Sequence, residues 1–77
     1  MIMEEAYKRG DTIYILMDAK RAAVLMDDWV THNYECDMLV HRSKKTEGCV
    51  VVETTDLLWA RRIILWYKPN KVKIKSR

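Results

Sequence analysis

Two hydrophobic periods alternate along this chain and divide it into six elements. Thr12–Met17 reads Thr-Ile-Tyr-Ile-Leu-Met, a β-branched and apolar run of strand length with Gly10-Asp11 before it. From Asp18 the period changes. Ala19, Ala22, Leu25, Met26, Trp29 and Val30 recur on one face of a helix, with Lys20, Arg21, Asp27, Asp28 and Thr31 on the other. Asp18 is placed to cap that helix, so the strand-to-helix connection is tight. Asn33-Tyr34 ends the helix. Glu35–His41 returns to period two, with Cys36, Met38 and Val40 on one side and Glu35, Asp37, Leu39 and His41 on the other. Arg42–Gly48 is polar and ends in glycine, which predicts a hairpin loop longer than two residues. A loop closing near Lys44-Lys45 brings Cys36 closer to Glu53 than to Cys49. Cys49–Glu53 (Cys-Val-Val-Val-Glu) has the near-continuous apolar character of a central strand.

The closing stretch carries the strongest pattern. Thr54 or Thr55 is a ready N-cap, and Asp56 follows in the first turn, where its charge suits the helix dipole. Pro69 stops the helix and biases Lys68 away from helical angles. Wound at about 100° per residue, Leu57, Trp59, Ala60, Ile63, Ile64, Trp66 and Tyr67 share a broad half of the cylinder. The other half holds Arg61, Arg62 and Lys68, and also Leu58 and Leu65, which stack on one line between the arginines. A helix apolar beyond its core stripe calls for a second cover, from residues 1–11 or from a partner. Lys71–Lys75 then alternates lysine with Val72 and Ile74 as a final strand.

The order β-α-β-β-α-β, with two right-handed crossovers around a hairpin, predicts an α+β fold. It is the two-layer ferredoxin-like sandwich, a four-stranded antiparallel sheet with both helices on one face. Its first and third strands are central, and its last is an edge. If Ile13, Ile15 and Met17 point to the helices, alternation sends Tyr14, Leu16, Cys49, Val51, Glu53, Lys71, Lys73 and Lys75 to the open face. RNA-recognition domains of this topology stack bases on aromatics of that face. The third strand here carries no ring.

Composition adds bounds. The 77 residues make one domain, 49% apolar and 32% charged, with three Trp and four Tyr. Two cysteines cannot build a disulfide framework, so oligomerisation is the expected stabiliser of so small a core. No apolar run approaches the ~20 residues of a membrane span. Met-Ile-Met-Glu-Glu lacks the pattern of a leader, which sets a cytoplasmic expectation. Met1–Arg9 reads as a short helical turn, with Glu4 and Glu5 spaced for Lys8 and Arg9. The net charge of +3 is unevenly spread: residues 57–77 hold seven basic side chains and no acid. That segment suits an anionic partner, or a lysine-guarded edge strand that needs none.

Candidate chemistry is sparse. His32, Cys36, His41 and Cys49 match no zinc-site spacing, although a hairpin can bring His41 towards Cys49. Asp27 and Asp28 diverge by about 100° on a helix and form no acid–base dyad. Gly10 and Gly48, the only glycines, cannot build a phosphate loop. The sequence reading is therefore a small non-enzymatic interaction module, without metal or cofactor. It is expected to self-associate as a dimer and to bind a macromolecular partner. Its apolar contact residues are Tyr14, Leu16, Val51, Leu58 and Leu65; those for an anionic partner are Arg61, Arg62, Lys71, Lys73 and Lys75. Nucleic-acid binding through the basic C-terminal helix and strand is the alternative. A thiol or metal site around Cys49 and His41 is a second.

Overall fold

The computed structural model describes residues 12–32 and 35–75, with the Lys75 side chain left aside. The expectations for Met1–Arg9 and for a helix end at Asn33-Tyr34 lie outside the described residues. The element order is β1 (Thr12–Asp18), α1 (Ala19–Thr31), β2 (Leu39–Arg42), β3 (Cys49–Thr54), α2 (Leu57–Tyr67) and β4 (Lys71–Lys75). The strands pair antiparallel in the order β2-β3-β1-β4. This is the ferredoxin-like sandwich, with β1 and β3 central and the lysine strand at an edge.

Period-two alternation sorts the sheet into two faces. Ile13, Ile15, Met17 and Val52 are fully buried and pack with Ala22, Leu25, Trp59, Ala60 and Ile63 of the helices. The buried stripe of α1 is narrower than the apolar pattern suggests. Ala22 and Leu25 are buried and Trp29 packs against the core, whereas Met26 and Val30 are 44% and 68% exposed. Two helices share one sheet face, so α1 turns only its innermost side to the strands. On α2 the leucines Leu58 and Leu65 stand outside as the pattern requires. Trp66, at the margin of the predicted inner half, is exposed too, and the Arg62 guanidinium lies 4.2 Å from its ring centroid.

Caps and turns fix the ends. Asp18 accepts from the Lys20 N–H at 3.4 Å. Asp56, rather than Thr54 or Thr55, caps α2 by accepting from the Trp59 N–H at 2.9 Å. Thr54 is fully buried, and its hydroxyl instead accepts from the Asp56 N–H at 3.0 Å. Lys68 ends α2 in the left-handed region at φ 44°. The Arg21 guanidinium donates to its carbonyl at 2.8 Å, placing a cation at the negative end of the helix.

The second strand is shorter than the alternation predicts. Its ladder runs only from Leu39↔Glu53 to Arg42↔Val50, because β3 turns into α2 just beyond. The hairpin register is shifted from the predicted one, since the loop extends from Ser43, whose N–H donates to the Cys49 carbonyl, to Gly48. Cys36 consequently lies beyond the ladder. Cys36 and Met38 still turn towards the core because both indoles hold them. Trp29 Nε1 donates to the Cys36 carbonyl at 3.3 Å, and Trp59 Nε1 approaches Met38 Sδ at 3.1 Å. Asp37 points the other way and accepts from the Thr55 N–H at 2.9 Å and its hydroxyl at 2.7 Å.

Candidate ligand groove on the open sheet face

The face of the sheet away from the helices is built of two cross-strand rows. His41, Val51, Leu16 and Lys71 stand side by side, and so do Leu39, Glu53, Tyr14 and Lys73. Opposed side chains in such rows have Cβ atoms about 4.5–5.5 Å apart. Tyr14, Leu16 and Val51 are half-buried, which makes an apolar floor with one ring on it. Lys71 and Lys73 rise from the edge strand on one side of that floor.

The hairpin loop closes the other side. Thr46 donates its N–H to the Ser43 hydroxyl at 3.1 Å, and the Cys49 N–H donates back to the Thr46 carbonyl at 3.3 Å. Gly48, at φ 79°, makes the final turn in a region that disfavours any side chain, and its carbonyl accepts from the Ala19 N–H at 3.1 Å. This tether carries Lys44 and Lys45 to the groove. Tyr14, Leu16 and Val51 together with Lys44, Lys45, Lys71 and Lys73 line a volume of about 650 Å³.

Beside the groove, His41 Nε2 meets Glu53 Oε2 at 2.5 Å. A carboxylate only accepts, so the imidazole proton sits on Nε2. Loss of hydration on the sheet, and then the neighbouring Glu53 carboxylate, push the phenol of Tyr14 above its ordinary 10.0. Tyr14 therefore presents a neutral ring and hydroxyl at physiological pH.

The structure groups the predicted residues differently from the sequence. Tyr14, Leu16, Val51, Lys71 and Lys73 come together, and Lys75 stands opposite Thr12 in the same alternation. Arg61 and Arg62 do not join them. They lie on α2, in the layer across the sheet, with Leu58 and Leu65. The predicted basic surface is thus two separate surfaces. Lys44 and Lys45 were legible only as a polar loop; their adjacency in the hairpin was the available signal. Cys49 and His41 are directed apart, His41 to Glu53 and the buried Cys49 thiol towards Asn70 Nδ2 at 3.9 Å. Among the described residues no group of three or more His, Cys, Asp or Glu side chains is placed to hold a metal ion, and no helix is long and apolar enough to cross a membrane. Compared with known proteins, the chain matches no family model, no curated protein and no solved structure.

Proposed function

We propose that this protein is a binding module rather than an enzyme, and that the open face of its sheet takes single-stranded nucleic acid. One observation carries the reading: an aromatic ring on an aliphatic floor lies between lysines from two different elements. Every base has a flat π-face that stacks on such a ring, worth about 1–3 kcal/mol per base, while the phosphates meet the ammonium groups. Four lysines neutralising about four phosphates give a slope of log K against log salt near −3. An acidic protein surface satisfies the lysines but makes no use of the flat face of the Tyr14 ring.

Fluorescence anisotropy with labelled single-stranded RNA and DNA of about twelve nucleotides tests the reading. Wild-type protein is expected to bind at low salt, to weaken steeply as salt rises, and to lose affinity in Tyr14→Ala and in Lys44→Glu with Lys45→Glu. No binding at low salt, or binding indifferent to these substitutions, overturns it.

A second reading concerns the opposite layer. Leu58, Leu65 and Trp66 are 76%, 72% and 62% exposed on the outer side of α2. Three large apolar side chains exposed on one helix support self-association through α2 as a homodimer. Light scattering after size-exclusion chromatography at tens of micromolar is the test. A dimer that Leu58→Glu dissociates is expected; a monomer unchanged by the substitution overturns it.

A further inference from the structure

Glu53 is the one acid in the two rows that form the open face, and it stands directly opposite Tyr14 across the β1–β3 ladder. An acid beside an anion-binding groove weakens phosphate binding, so electrostatics alone gives no reason for it there. Its position gives one. A base lying flat on the Tyr14 ring extends past the ring edge, and the neighbour on the β3 side is the Glu53 carboxylate. Nor is that carboxylate free to swing, because His41 Nε2 holds Oε2 at 2.5 Å. Two carboxylate oxygens offer about four acceptor sites; His41 occupies one and the Tyr14 hydroxyl a second, which leaves about two. What remains is a fixed acceptor beside the stacking ring.

The four bases differ in what they offer such a group. The Watson–Crick edge of guanine presents N1–H and the N2 amino group side by side, two donors for two oxygens. Cytosine and adenine each present one amino group next to a bare ring nitrogen, whose lone pair repels the carboxylate. Uracil presents one N–H between two carbonyl oxygens. Two parallel donors on a carboxylate form the stronger and more directional pair.

Resting on the single-stranded nucleic-acid reading above, we infer that Glu53, oriented by His41, is a specificity-determining residue that selects a guanine base stacked on Tyr14. Glu53 makes the contact, and His41 is its positioning residue. Lys73, next to Tyr14 on β4, stands on the other side of the ring and takes the adjoining phosphate.

The test uses the full chain and labelled nonaribonucleotides, uridine throughout except for one central guanosine, adenosine, cytidine, uridine or inosine. A single guanosine avoids four-stranded assemblies. Inosine keeps N1–H and lacks the amino group, so it probes the contact without altering the protein. Wild type is expected to bind the guanosine oligomer about tenfold tighter than the uridine one, the size of a good two-pronged base contact, with inosine between them. Glu53→Gln is expected to lose the guanosine preference, binding the guanosine and uridine oligomers with equal affinity. His41→Ala reduces the preference without abolishing uridine binding. Equal wild-type affinity for all five oligomers, with binding still dependent on Lys71 and Lys73, overturns the role of Glu53 and leaves the groove standing. A guanosine preference that survives Glu53→Gln overturns it as well. If no oligomer binds, both the inference and the reading beneath it fall.

Discussion

The phenol of Tyr67 donates to the carboxylate of Asp28 at 2.9 Å, which joins the last residue of α2 to the last turn of α1. Asp28 is only 14% exposed at its side chain and also meets His32 Nδ1 at 2.7 Å. A hydrogen bond to a charged group contributes about 1.5–3 kcal/mol net. Tyr67→Phe is therefore expected to lower unfolding free energy by about 1.5 kcal/mol, at the lower end because the site is part-buried. Urea unfolding of the two single variants and of the pair with Asp28→Asn measures it. A coupling energy near zero would show that the two groups do not share this bond.

Lys68 holds a left-handed conformation, φ 44° and ψ 66°, between α2 and Pro69. That region costs a side chain about 1–2 kcal/mol, whereas glycine loses about 0.5–1 kcal/mol through its freer unfolded chain. Lys68→Gly is expected to stabilise the fold by up to about 1 kcal/mol on this difference. The bond from Arg21 survives, because its acceptor is the backbone carbonyl. A lower urea midpoint for Lys68→Gly than for wild type contradicts the argument.

Burial raises the Cys36 thiol above its ordinary 9.0; the bond with Trp29 lowers it in part, and Asp56 and then Asp37 add smaller rises. The folded chain therefore keeps this proton after the unfolded chain has released it. The associated stability is fully present below about pH 9 and is lost as pH rises through the folded thiol's value. Tyr14, also raised, adds a second loss above pH 10.0. Urea midpoints measured across the alkaline range are expected to fall less steeply for Cys36→Ala than for wild type. Alkylation of Cys36 in the native protein should lag behind that of a free thiol peptide, and the lag should persist above pH 9.0 until the pH passes the folded thiol's own value.

Lys71 and Lys73 are exposed on the open face, about 7 Å apart by strand geometry, within the ~8 Å screening length of physiological salt. They repel each other mildly in the unbound protein. Lys71→Glu with Lys73→Glu is expected to leave the circular dichroism spectrum unchanged and to weaken oligonucleotide binding at least tenfold, on the order of two lost phosphate contacts. Wild-type affinity in the double variant would reduce the lysine row to edge protection.

The faces of the sheet were legible in the sequence because alternation has a period of two and tolerates no drift. Tyr14, Leu16, Val51, Lys71 and Lys73 share the open face as Thr12–Met17 and Lys71–Lys75 require. The outward leucines of α2 were legible for the same kind of reason, since Leu58 and Leu65 are two turns apart. Ends and loops were less so. Threonine and aspartate compete closely as caps, and the buried position of Thr54, which decides for Asp56, is a tertiary fact. Hairpin register depends on Ser43, Thr46 and Gly48 bonding within their own loop and to Ala19. Lys44 and Lys45 reach the groove only through that tether. The meeting of His41 with Glu53 depends on the same register.

The pairing of Thr12 with Lys75 and of Leu16 with Lys71 is the most distant along the chain in this sheet. The β2–β3 hairpin closes over a short loop, but β4 must find β1 across nearly the whole described chain, and so distant a contact repays its loop-closure entropy last. Until it docks, one flank of β1 remains an open ladder. Two of the groove's lysines arrive on that same strand, so the groove does not exist before the sheet is complete. Anything held between the hairpin and β4 would also hold β4 on β1, and its binding would be linked to strand closure.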